Sequence, residues 1–598
     1  MILPLPLPAL VGLAAALSAA PGAVGPVPAL PTPEVRAEGL PLLDQDGLAA
    51  GLAELATDPR ATAFRVGTSR AGRPIDGVKL AVDDTPRPAV LLVASLDADR
   101  AWTSSVALEL GRRLLADDPG SAALLATADV YLVPRLDVDG AARRFELPVD
   151  DHGGSGDDRD TDRDGVAGED GPADVNDDGL VTMMRVPDPD GTWLADPHDP
   201  RAHVEADLAR GERGLWRLVP EGLDADGDGE VAEDAPADGH VNHNFPAGFE
   251  DHGAAAGLYP GSDPAVRALM DFVILRPELV AVMTLDGQDT LVDAPDAKAE
   301  ERSSDAVPSW WRRVDPPDGR VLASDADALA GFGRTLADLA EAHDVTLAGG
   351  EAMRGGSFQR WAYEHRGLLT LDCLLWTMPT EAPPAEEPAE GATDEPAGAG
   401  AEDAADGSAA PDTWRDPSDD AGRLAWIDAV GAGHRFVDWQ PFDHPTLGPV
   451  EVGGWAPFAL VEPPPAEHAA LVDVHHGLLV SLAEALPAPR IAALTAEHLG
   501  ADLWRVEARL ENEGTLAWPS AAAVRARTVK PARATLTLPE GASLVVGEAR
   551  TLVPSLSAGS PGELTWLVHA PSTDGLALEL HTEAFGTARL AVTAEDAR

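Results

Sequence analysis

Three short acidic segments carry the most legible chemistry in this chain. Asp160, Asp162 and Asp164 lead into Gly165; Asp174, Asn176 and Asp178 lead into Gly179; Asp224, Asp226 and Asp228 lead into Gly229. Oxygen ligands on alternate residues, followed by a glycine that allows a sharp turn, form the front half of a calcium loop. The glutamate that would close each loop is missing, because Gly171, Arg185 and Ala235 stand there. Glu169-Asp170 and Glu233-Asp234 are the late carboxylates that remain. Calcium bound at these loops is the expectation, with acidic turns that hold no metal as the competing view. A second set of reactive groups follows the apolar run Ala89–Ala94. There Asp97, Asp99 and Arg100 occupy a turn without histidine. In an open α/β sheet the turn after such a strand faces the ligand crevice.

The elements that must position these groups follow from periodicity. Ala89–Ala94 is continuous in apolar residues, as a buried parallel strand requires. Small hydroxyl residues Thr103, Ser104 and Ser105 then open a helix with an apolar stripe at Val106, Leu110 and Leu114. Phe64–Val82 is expected to form a hairpin, Asp129–Pro134 a second buried strand and Arg135–Gly140 a turn. Asp263-Pro264 is a helix start, Leu279–Leu285 a strand ending at Asp286, Asp325–His343 a helix, and Gly367–Trp376 an apolar strand containing Asp372. Alternating strands and helices predict an α/β fold. Its sheet is expected to be mixed and mostly parallel, with helices on both faces. Residues 150–238 are acidic and glycine-rich, with little apolar periodicity, and are expected to be ordered by calcium. Residues 380–412 lack large apolar side chains and are expected to be a disordered insertion. Pro465–Leu486 is expected to be helical. From Leu503 onward the period changes to two, which predicts a C-terminal β-sandwich over 493–598.

Several motifs together resemble the zinc carboxypeptidases of the carboxypeptidase A type, more narrowly exported bacterial members with calcium-loop insertions. Gly67-Thr68-Ser69-Arg70-Ala71-Gly72-Arg73-Pro74-Ile75 resembles the family's G-x-S-x-x-G-R-P-I. Val133–Gly140 is similar to V-P-x-x-N-P-D-G, and Asn242-His243-Asn244-Phe245-Pro246 to N-R-N-F-P. Gly355-Gly356-Ser357-Phe358 and Gly367-Leu368-Leu369 look like the approach to the last catalytic strand. The resemblance spans about residues 52–486, within a carboxypeptidase-like domain at 40–486. It implies a zinc held by two histidines and a glutamate, a glutamate base that activates water, and arginines that grip a terminal carboxylate. In this sequence the ligand positions fall on Asp97, Arg100 and Asp286. The base position falls on Leu374, with Asp372 as its candidate substitute, and the carboxylate-gripping positions fall on Asn242 and His243. Asp97 and Asp286 are expected to pair with Arg100 and fill the zinc position. His240, His243 and His252 are expected to be plain surface histidines.

Composition limits the partners. The formal net charge is −57, and lysine is confined to Lys79, Lys298 and Lys530. Such an acidic surface excludes a nucleic-acid partner. Cys373 is the single cysteine, so no intrachain disulfide forms. Residues 1–23 are apolar and resemble a secretory signal peptide, which predicts export to the periplasm or beyond. No later stretch is long and apolar enough to span a membrane. Three functions remain open from the sequence. One is a non-catalytic homologue that binds peptides or acts as a scaffold. The second is an active metallocarboxypeptidase. The third is a calcium-ordered adhesion module that binds cell-surface polymers.

Overall fold

The apolar run at Ala89–Ala94 is the middle of the molecule. In this computed structural model, which describes residues 39–593 except 117, 152–153, 155–164, 167, 169–170, 234–238, 252, 254, 299–318 and 383–415, all six of its residues are buried. The first calcium-type segment (Asp160, Asp162, Asp164), the signal-peptide expectation, His252 and nearly all of the 380–412 insertion lie outside the described residues.

The run belongs to a six-stranded sheet in the order 61–68, 74–80, 129–133, 89–94, 279–286 and 369–374. The first two strands form the expected hairpin. The 74–80 strand pairs antiparallel with 129–133, and the remaining three pairings are parallel. The α/β expectation therefore holds. Alternation along the central strand explains why both faces are covered. Val90, Leu92 and Ala94 pack with helices 45–55, 103–115, 323–342 and 468–485. Ala89, Leu91 and Val93 pack with helix 264–274 on the opposite face.

Local signals are met with small differences. Asp263 caps helix 264–274 by accepting from the Ala265 N–H. Helix 103–115 is not capped by its hydroxyl residues: Thr103 Oγ1 instead donates to Arg100 O and accepts from the Ser95 N–H, 3.0 Å away. The hydroxyl thus braces the turn rather than the helix end. Arg135–Gly140 is not only a turn, since Asp137 caps a short helix at Val138–Arg143.

The larger departure concerns residues 150–238. Four strands, 183–187, 193–195, 203–205 and 216–220, join 436–444 and 448–455 in a second six-stranded sheet, antiparallel throughout. These strands are short, and 183–187 pairs with chain more than 200 residues away, with Arg185 opposite Glu451. A ladder of that kind leaves no local periodic signal. Beyond Pro489 two four-stranded sheets face each other over a core containing Trp518, Trp566, Leu510 and Leu578, as the period-two pattern predicts.

Candidate functional site

Parallel strands deliver their carboxyl ends to one edge of the sheet, and the resemblance-derived positions gather there. Asp97 follows the 89–94 strand, Asp286 ends the 279–286 strand, and Leu374 lies opposite Asp286 in register. Asp97 is 8% exposed and Asp286 1%. The Asp97 N–H donates to Asp286 Oδ1 over 3.3 Å.

The guanidinium that meets them is not the one expected. Arg100 hydrogen-bonds elsewhere, its Nη1 donating to Trp376 O at 2.9 Å and its Nε lying 3.6 Å from Asp99, while its charge still acts on Asp286. Arg354 takes the place beside Asp97. Its Nη2 donates to Asp97 Oδ2 at 2.9 Å and lies 3.4 Å from Asn242 O. Burial by itself would raise the Asp97 carboxyl, but Arg354 and the nearby His243 and His240 outweigh it and hold it below the usual range. Asp286 moves the other way, because burial and the neighbouring carboxylates Asp97 and Asp99 push it well above that range.

Asn242 and Asn244 show why the N-x-N-F-P segment is built as it is. Asn242 is fully buried; its amide donates to Asp286 Oδ2 and its carbonyl accepts from the Phe358 N–H. Asn244 accepts from the Asp263 N–H and donates to Ala256 O. Both amides are committed to the fold. His243 does reach the open side. Together with His240, Asp97, Asp99, Asp150, Asp151, Arg143, Arg354 and Phe458 it lines a crevice of about 190 Å³. These two histidines therefore edge the crevice rather than a plain surface, a placement that loop spacing could not reveal. Burial, reinforced by Arg354, pushes His243 down to about 4, so its imidazole is neutral at physiological pH.

Two other motifs meet behind the crevice. Asp139 of the V-P-x-x-x-x-D-G segment accepts from Ser69 Oγ at 2.7 Å, the Ala71 N–H at 2.9 Å and Arg73 at 2.8 Å. This bond set fastens the hairpin turn to the sheet edge. Ser95, Met353 and Phe458 are non-glycine residues in the left-handed region, at φ of 48°, 54° and 64°. Each lies at or within two residues of the crevice lining, where such strain tends to be held by its surroundings.

Asp372 is not on the crevice. It is fully buried, accepts from Thr284 Oγ1 at 2.9 Å, and burial pushes it up to about 7. A buried relay joins it to Arg354: Gln288 Oε1 accepts from the Arg354 N–H, Gln288 donates to Gln359 Oε1, and Gln359 lies 3.4 Å from Thr284 Oγ1. Leu374 is buried too, at 9% exposure. Arg354, Asp151 and Phe458 escape sequence reasoning. The only signal for Arg354 is that it directly precedes Gly355-Gly356-Ser357-Phe358.

The two described calcium-type segments, 174–179 and 224–229, do not line this crevice. Asp174 Oδ2 accepts from the Gly179 N–H at 2.8 Å, and Asn176 Oδ1 from the Asp178 N–H at 2.9 Å. Glu221, fully buried, accepts from the Val175 and Thr182 N–H groups and clamps this loop to strand 216–220. In the other loop Asp224, Asp226 and Asp228 bring their carboxylates within 4.8 Å of one another. Among the described residues that is the only group of three or more carboxylate, imidazole or thiol ligands drawn so close.

Residues 49–176 match the family of zinc carboxypeptidases, and residues 489–593 match a domain of unknown function. No curated protein matches the sequence. Among solved structures the chain is similar to bovine thrombin-activatable fibrinolysis inhibitor in complex with tick carboxypeptidase inhibitor. That likeness has 12% identity, 56% of this chain, 86% of the other and a TM-score of 0.30. It is also similar to carboxypeptidase A from Helicoverpa armigera, at 14% identity over 55% of this chain and 64% of that one, TM-score 0.32. A third is a metallo-carboxypeptidase from Burkholderia cenocepacia, at 15% identity over 55% and 59%, TM-score 0.26. The match over 49–176 covers the hairpin, the central strand and the first crevice turn, and marks this part of the α/β domain as zinc-carboxypeptidase-like.

The family that residues 49–176 match is one of zinc enzymes. A catalytic zinc takes three neutral or anionic nitrogen and oxygen donors and keeps a position open. Of the three positions that the resemblance assigns to the ion, one holds a cation, Arg100, and a second, Asp97, already binds the Arg354 guanidinium. These residues do not fit the ion.

Proposed function

We propose that this protein uses a carboxypeptidase-type crevice to bind peptides without hydrolysing them. The observation that carries this reading is the Asp97–Arg354 ion pair, 2.9 Å long, at the position that the resemblance assigns to the metal. The other parts of the catalytic apparatus point the same way. Leu374 cannot accept a proton from water. Asp372 is sealed in the interior. His243 cannot make the bidentate grip that arginine makes on a carboxylate. Losing a base alone typically costs about 10²–10⁴ in rate. The test is metal analysis of the purified protein together with an assay for release of C-terminal amino acids. The expected result is less than stoichiometric zinc and no chelator-sensitive release; stoichiometric zinc with such release overturns the proposal.

Calcium belongs to the same reading as a structural ion. The observation in its favour is the convergence of Asp224, Asp226 and Asp228, with Gly227 and Gly229 at φ of 86° and 102° making the turns. Export follows from the apolar amino terminus alone.

A further inference from the structure

The C-terminal sandwich meets the α/β domain through an interlock, and its parts are specific. Helix 521–526 of the sandwich region points its first N–H groups at a carboxylate of the other domain. Asp325, in the first turn of helix 323–342 and 6% exposed, accepts from the Ala521 N–H at 3.1 Å and the Ala522 N–H at 3.0 Å. It also accepts from the Tyr363 hydroxyl at 2.9 Å, which in turn accepts from the Leu322 N–H. The third orphan N–H, that of Ala523, is satisfied by the helix's own cap, Ser520 Oγ. The same Ser520 Oγ donates to Gly367 O at 2.6 Å, and Thr528 Oγ1 donates to Arg366 O at 2.6 Å.

Gly367 is the other half of the interlock. Its φ of +70° suits glycine. A Cβ built there would lie 2.2 Å from Ala523 Cα, so the backbones approach too closely for any side chain. Two residues further on begins the 369–374 strand, which runs to Leu374 beside Asp286. That strand is at the end of the sheet and has one ladder partner, 279–286. Its entry is fixed from outside the sheet.

We infer that the C-terminal β-sandwich is a lock on the entry of the 369–374 strand, with Asp325 as the positioning residue, rather than an appended binding module. A carboxylate at a helix N-terminus is favourable both as hydrogen-bond acceptor and as charge. Here it joins two domains, so undocking the sandwich would break two N–H bonds to a buried carboxylate at once.

Hydrogen exchange on the full-length chain tests this, comparing wild type with Asp325→Asn, Ser520→Ala and Thr528→Val. The expected result is exchange about five- to tenfold faster over 368–374 in Asp325→Asn, the scale of a lost helix cap. Smaller increases are expected in the two hydroxyl variants, and no change over 89–94 in any of them. If Asp325→Asn does not fold, the two milder variants give the same readout. Unchanged exchange over 368–374 overturns the inference. So does acceleration confined to 521–526, or an equal acceleration over 89–94, because each would separate the interlock from the strand it is said to hold.

Discussion

Arg354 is the residue on which the crevice turns, and removing it has a calculable effect. Arg354→Ala leaves Asp97 buried beside Asp286 without the guanidinium that pairs with it. Breaking a buried pair from one side costs about 3–5 kcal/mol, and the partial exposure of Arg354 places the expected loss toward the lower end. Denaturant unfolding at neutral pH measures it; a loss below about 1 kcal/mol would mean that the pair behaves like a surface contact. Asp372 makes a pH-dependent prediction. Its folded value is raised to about 7, above the roughly 3.9 of an unfolded aspartate. Between those values the unfolded chain binds fewer protons than the folded one, so stability from this group falls as pH rises through that window. Asp372→Asn, which stays neutral, is expected to raise the melting temperature relative to wild type at pH 8, with the gain shrinking as pH falls toward 4. A gain independent of pH would show that the carboxyl does not titrate there.

Among the elements, the loops at 174–179 and 224–229 are the ones expected to respond to removal of calcium. They turn through glycines in the left-handed region and pack few apolar side chains, yet they adjoin strands 183–187 and 216–220 of the second sheet. An ion that binds only the folded state raises stability by mass action, about 2.7 kcal/mol at a hundredfold excess over its dissociation constant. Chelation with EDTA is therefore expected to lower the melting temperature, and Asp226→Ala to remove part of that difference. Identical melts in EDTA and in millimolar calcium would leave these loops as acidic turns. Strand 183–187 illustrates the limit of a local reading: it pairs with 216–220 and 448–455, and no residue within it announces either partner.

Across the whole molecule, net charge governs the response to salt. At −57, self-repulsion opposes the compact state. Salt shortens the reach of that repulsion, from about 30 Å at 0.01 M to about 8 Å at 0.15 M. The melting temperature is therefore expected to rise with sodium chloride over this range, measured in chelator so that calcium does not contribute. A flat profile would show that ion pairs such as Arg201–Asp428 and Arg113–Asp473 offset the excess charge locally. Among the described residues no helix is long and apolar enough to cross a membrane.

Sequence alone determined the parts whose cause is local. The Ala89–Ala94 strand, the Asp263 cap, the hairpin at 61–80 and the alternating strands of the sandwich follow from periodicity and capping, which act over a few residues. The motif set placed Asp97, Asp286 and Leu374 at one end of the sheet, because parallel strands deliver their carboxyl ends together. Tertiary structure alone decided which cation meets Asp97. Arg100 is three residues away and Arg354 more than 250, yet the turn aims Arg100 at Trp376 O while the segment before Gly355 brings Arg354 alongside. The same holds for Asp372, whose position two residues before Leu374 suggested a crevice carboxylate. It is instead fully buried and bonded to Thr284 of the neighbouring strand. A charge pairs with whatever the packed chain brings within a few ångströms, and sequence separation carries no information about that distance.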